Sequence, residues 1–170
     1  MRAPLALVLL IIVTSWSIAS QAAQELSWDD LIPAGYEEPM PAPQAMHDLS
    51  SMGEMIDESG DPAEQLNPAA PVVAELDGRE VRLPGYVVPL DLREGRVVEF
   101  LLVPYFGACI HVPPPPSNQI VHVRRSEGID LEALYQPFWI SGPMRVDRVE
   151  SELAAAGYRI DARQIEPYLY

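Results

Sequence analysis

Cys109 and His111 stand two residues apart in the run Gly107-Ala108-Cys109-Ile110-His111-Val112. In a β-strand that spacing points both side chains to one face and turns Ile110 and Val112 to the other. A thiolate beside an imidazole is half of a site for Zn²⁺, with copper as second choice. His122 follows on the next extended stretch, between Val121 and Val123. With those valines in the core, His122 faces outward and is a candidate third ligand. Three ligands would leave one position for water, a fourth ligand or a delivered partner. The same pair could instead form an activated thiol, with Asn118 or Gln119 orienting the histidine. Two facts oppose that: strand neighbours on one face sit roughly 6–7 Å apart, and an exported thiol is open to oxidation. A third alternative is simple packing, since a free cysteine behaves as a small hydrophobe.

Pro113, Pro114, Pro115 and Pro116 come next. Four prolines make a stiff, donor-free polyproline turn. It is either a docking surface for an aromatic groove or a rigid connector between Cys109 and Asn118. Asn118 and Gln119 can satisfy the carbonyls around it. A weaker donor set lies upstream, where Met46, His47, Met52 and Met55 stand among carboxylates. Thioethers and an imidazole suit Cu(I).

The elements that must position these residues follow from composition and pattern. The chain has 170 residues with 48% apolar side chains, enough for one packed core. Its 18 prolines exclude a helix bundle, since an interior proline costs a helix about 3 kcal/mol. The single cysteine excludes an intramolecular disulfide, a CxxC pair and a four-thiolate zinc site. With Lys+Arg 11, Asp+Glu 25 and a net charge of -14, the chain repels phosphate backbones and anionic membrane surfaces. No phosphate loop, G-x-S-x-G or H-E-x-x-H motif is present. No organic cofactor is expected.

Residues 1–23 read as a secretory signal: Arg2, an apolar run from Leu5 to Val13, then small residues before a cleavage site. The run is short for a membrane span, which needs about 20 residues. Residues 24–71 hold eleven acids and no Lys or Arg. They read as an extended acidic arm. Its exception is 26–33, where Ser27 caps a short turn that brings Trp28, Leu31 and Ile32 to one docking face.

Residues 72–170 form the domain. Strands are expected over 72–76, 79–90, 97–103, 120–124 and 138–141, with turns at Asp77-Gly78 and Arg93-Glu94-Gly95-Arg96. Pro84-Gly85 marks a bend, and Glu99 is the one charge in an apolar strand. A helix is expected over 146–156, with Gly157 as its stop. The fold class is therefore mainly β: a small, strongly curved barrel with a C-terminal helix and an acidic N-terminal arm.

Two segments point to a family. They are Leu83-Pro84-Gly85-Tyr86-Val87-Val88-Pro89-Leu90 and the block from Glu99 through Cys109, His111 and the four prolines to Gln119. With Trp139-Ile140-Ser141-Gly142 and Ala156-Gly157-Tyr158, they closely resemble the exported bacterial family called domain of unknown function 3299. The resemblance implies a small barrel of the oligonucleotide/oligosaccharide-binding (OB) type in the periplasm of a Gram-negative bacterium. It also implies an association with ABC-transporter components in zinc-responsive gene clusters. An OB-type fold does not itself imply nucleic-acid binding.

The expected function is a soluble periplasmic accessory protein, not an enzyme. It would bind a transition metal, zinc first, through Cys109, His111 and His122, and serve an ABC transporter or other envelope partner. The alternatives are a metal-free docking module using the proline loop and barrel face, and a thiol enzyme using Cys109.

Overall fold

A computed structural model describes residues 22–37, 64–109 and 113–168. In chain order the strands are β1 (Gln24–Glu25), β2 (Glu80–Arg93), β3 (Arg96–Val103), β4 (Val121–Asp130) and β5 (Phe138–Arg145). They continue with β6 (Val149–Glu150), β7 (Ala155–Ala156), β8 (Tyr158–Asp161) and β9 (Gln164–Pro167). Four single-turn 3-10 helices complete the described elements: Trp28–Leu31, Ala74–Leu76, Ser117–Gln119 and Leu131–Ala133. The fold is mainly β, as expected.

Five strands close into a ring. β2 pairs with β3 through residues 86–93 and with β5 through residues 80–85. β3 pairs with β4, β4 with β8, and β8 returns to β5. The β4–β8 pair is parallel and the other four pairs of the ring are antiparallel. β1 adds to β2, and β9 adds to β5. At fourteen residues β2 is long enough to serve two partners. The bend expected at Pro84-Gly85 is where it changes from one to the other. A Cβ at Gly85 would lie 2.8 Å from the Val103 carbonyl, so only glycine lets the two backbones approach there.

Period-two alternation fills the ring. Val81, Leu83 and Val87 of β2 face inward. They meet Phe100 and Leu102, Val121 and Val123, Ile140, Tyr158 and Ile160. The turn at Glu94-Gly95 has positive φ at both residues, 53° and 79°, which matches the twist of the β2–β3 hairpin. A second apolar cluster lies against the outer face of β3. It joins Val88, Leu101, Val103 and Ile120 to Ala108, Ala154 and Ala156.

The docking turn forms. Leu31 is fully buried, and Trp28 packs against the core while its Nε1–H donates to the Pro84 carbonyl at 2.7 Å. Asp30 accepts from both the Ser27 N–H and the Ser27 hydroxyl at 2.7 Å. Those two bonds, the hydroxyl first, hold its carboxyl below the ordinary range.

Two elements differ from expectation. Residues 74–76 form a 3-10 turn, not part of a strand. The Val73 N–H is taken by the Tyr158 hydroxyl at 2.7 Å instead of a neighbouring strand. The helix expected over 146–156 is replaced by the β6–β7 hairpin. Both backbone polar groups of Ala155 bond to the Gln65 side-chain amide at 2.9 Å. The Ser151 hydroxyl donates to the Ala154 carbonyl and accepts from its N–H. These bonds occupy groups a helix would need. Gly157 is therefore not a helix stop. Its N–H donates to the Ser117 carbonyl at 2.7 Å, and a Cβ there would lie 2.9 Å from that same oxygen.

Candidate functional site

His122 is on the outer side of β4, opposite Val121 and Val123, yet it is only 1% exposed. The second apolar layer covers its neighbourhood; its register partner on β3, Leu101, belongs to that layer. Nε2 of His122 is 2.7 Å from Oε1 of Glu99, and Arg124 reaches the same oxygen at 3.1 Å. The bond to Arg124, followed by the one to His122, lowers the Glu99 carboxyl against an opposing contribution from burial. An ionised carboxylate only accepts, so Nε2 carries the proton. Nδ1 is buried and has no partner among the described residues.

A cleft of about 450 Å³ opens beside this pair. Residues 89–91 of β2, Glu99, His122 and residues 150–153 line it. Glu99 was legible as the single charge of an apolar strand. The contribution of 150–153 was hidden, because a helix was expected there.

Cys109 does not lie in a strand. Its φ is 65°, and Gly107 two residues earlier has φ 84°, so the chain coils around the fully buried Ala108. The strand geometry expected at Cys109 is therefore not formed there; His111 itself lies outside the described residues. The thiol is half-buried against the second cluster. Burial pushes it up to about 11, so it is protonated at neutral pH and poorly suited to nucleophilic attack. Tyr105 is raised by burial and by proximity to Cys109. Beside it Phe106 is 65% exposed and meets Tyr86 edge-on at 5.8 Å.

Among the described residues no three His, Cys, Asp or Glu side chains are grouped to hold a metal ion. Of the predicted set, His122 gives Nε2 to Glu99 and has no partner at Nδ1 among the described residues, and Cys109 is a free thiol. The arm candidates Met46, His47, Met52 and Met55 lie outside the described residues.

The proline loop is a connector more than a free surface. Pro114 and Pro115 are buried, with Pro113 exposed and Pro116 between. The Pro115 carbonyl accepts from the Gln65 amide at 2.9 Å. Asn118 is buried and donates to the Pro71 carbonyl at 2.9 Å. Gln119 donates to the Trp28 carbonyl at 2.9 Å. Residues 64–71, expected in the solvated arm, are fastened to the ring by the Gln65 and Asn118 bonds and by Ala70 N–H to the Ser117 hydroxyl at 3.0 Å.

Comparison with known proteins decides the family. The model of the family described as "Protein of unknown function (DUF3299)" matches residues 28–167. The chain belongs to the DUF3299 family. A crystal structure of a DUF3299 family protein from Pseudomonas aeruginosa PAO1 is similar, with 55% identity and a TM-score of 0.74 over 88% of this chain and 98% of that one. A comparison with curated proteins finds no match. In this DUF3299 chain the family match spans both the docking turn at Trp28–Leu31 and the Glu99–His122 cleft. No helix among the described residues is long and apolar enough to cross a membrane.

Proposed function

We propose that this protein is a non-catalytic accessory protein of the periplasm that works by binding, and that the Glu99–His122 cleft is its binding face. The ring is read here as an OB-like barrel. Its five strands in chain order are β2, β3, β4, β5 and β8. OB folds bind through the face of their second and third strands and the loops joining strands one to two and four to five. Glu99 is on the second strand and His122 on the third. Residues 150–153 belong to the fourth connection, and Asp91 lies near the first. The observation that carries the proposal is the buried histidine in the cleft lining, held by one ring nitrogen and, among the described residues, unpartnered at the other. A buried polar atom without a partner is uncommon and calls for a reason.

A second function is favoured by the backbone of Cys109. A left-handed conformation at a non-glycine residue costs about 1–2 kcal/mol, and such strain collects at functional sites. Cys109, with His111, would then hold a transition metal, zinc first and copper second, for an ABC transporter or other envelope partner. Binding would displace the thiol proton.

Native mass spectrometry of protein exported to the periplasm separates the two. The cleft predicts an organic adduct that is lost in Leu153→Trp, which adds bulk to the lining. The metal function predicts a zinc or copper mass that is lost in Cys109→Ser and in His111→Ala. A folded protein that takes up no adduct from periplasmic extract would contradict the cleft as binding face.

A further inference from the structure

The lining of the cleft is rich in acceptors and poor in donors. Its side chains include four carboxylates, Asp91, Glu99, Glu150 and Glu152, and no Lys or Arg. Three of them meet an arginine outside the lining, each through one oxygen: Asp91 with Arg93 at 3.0 Å, Glu99 with Arg124 at 3.1 Å and Glu150 with Arg148 at 3.1 Å. The second oxygen of each remains available, since a carboxylate accepts at about four lone-pair sites. Glu152 has no ion pair among the described residues.

Two side-chain donors of the lining are already engaged. The Ser151 hydroxyl donates to the Ala154 carbonyl at 2.7 Å. The Nε2 proton of His122 goes to Glu99. Nδ1 is buried and, among the described residues, unpartnered. Pro89, Leu90 and Leu153 supply the apolar part of the wall. A group that only donates, carries positive charge and sits on a short hydrocarbon stem complements all of this. The volume of about 450 Å³ lies in the range of small-molecule sites.

We propose that the cleft binds a small organic cation, a guanidinium or primary ammonium on a short aliphatic stem, between the carboxylates and His122. This rests on the reading of the cleft as the binding face and names its ligand class. The cation exchanges hydration for charge-assisted hydrogen bonds, and the stem covers Leu90 and Leu153.

Calorimetric titration of the mature chain with n-butylguanidinium tests it, with the uncharged isostere n-butylurea alongside. Saturable binding of the cation is expected, with the urea about tenfold weaker or more, the effect of one charge-assisted hydrogen bond. Glu152→Gln and Glu150→Gln should each weaken the cation several-fold while circular dichroism stays unchanged. Equal binding of urea and cation overturns the ligand class. So does no binding of either, even while extract still leaves an adduct that Leu153→Trp removes; that result keeps the binding face. The peptide Gly-Arg-Gly is a third probe. If it binds more than about tenfold tighter than n-butylguanidinium, the ligand is a partner's side chain and the small-molecule assignment falls.

Discussion

Nε2 of His122 bonds Oε1 of Glu99 at 2.7 Å across a diagonal of the β3–β4 ladder. The residue directly opposite Glu99 is Arg124, and the one opposite His122 is Leu101. One carboxylate therefore fixes both a buried imidazole and a half-exposed guanidinium. It also fixes the tautomer of the imidazole, and with it the chemistry that the cleft offers.

That pair gives stability an acid limb. Glu99 is lowered chiefly by Arg124, and Asp30 chiefly by the Ser27 hydroxyl. A carboxyl lowered in the folded state contributes stability above its unfolded value and loses it as pH falls through the folded one. Urea midpoints should therefore decline below the ordinary carboxylate range, about pH 4. Glu99→Gln should flatten this decline. An unchanged acid limb in Glu99→Gln would show that the pair contributes nothing to it.

Tyr158 ties both N-terminal segments to the ring. Its hydroxyl donates to the buried Leu31 carbonyl at 2.7 Å and accepts from the Val73 N–H at 2.7 Å. Tyr158→Phe leaves two backbone groups unpaired, at about 1–3 kcal/mol each. Urea unfolding should show a loss of about 2–6 kcal/mol. Trp28 fluorescence should become more solvent-like as the docking turn loosens.

Gln65 performs the same service for the β6–β7 hairpin. Its amide bonds Pro115 O and both polar groups of Ala155, all at 2.9 Å. Gln65→Ala should speed amide hydrogen exchange at Ala154–Ala156 by about tenfold or more. The β2–β3 turn should be unaffected. Uniform acceleration across the ring would mean that the amide holds the whole domain and not the hairpin.

The sequence-to-structure relation divides along the range of these contacts. Period-two alternation, the Glu94-Gly95 turn, the Pro84-Gly85 bend and the Ser27 docking turn are local, and each was legible. Residues 146–156 have a helix-like pattern, but the group that overrides it is Gln65, 90 residues away. His122 was correctly assigned to the side of β4 away from Val121 and Val123, but not to a buried site. Two residues of the outer apolar layer, Ala154 and Ala156, come from the hairpin read as a helix. Cys109 was read in strand geometry because Gly107-Ala108-Cys109 follows an apolar strand. Positive φ at both Gly107 and Cys109 breaks that period. The mainly β class and the family were both legible from the residues.

Cys109 should react slowly. Burial pushes its thiol up to about 11. Below that value the thiolate is a minor species, so iodoacetamide alkylation of the folded protein should be far slower at pH 8 than after unfolding. The rate should rise steeply toward about pH 11. Fast alkylation at pH 7 would instead mark an activated thiol.

The central claim is that ligand binds beside Glu99 and His122. Its most direct test is NMR of the His122 ring in isotope-labelled mature protein, titrated with the small-molecule fraction of a periplasmic extract. The ring and the Leu153 methyl resonances should shift together and saturably, and Leu131 and Tyr135 should stay put. Shifts centred on Tyr105, Phe106 and Cys109 with His122 unmoved would contradict the claim and put the binding face on the Cys109 loop.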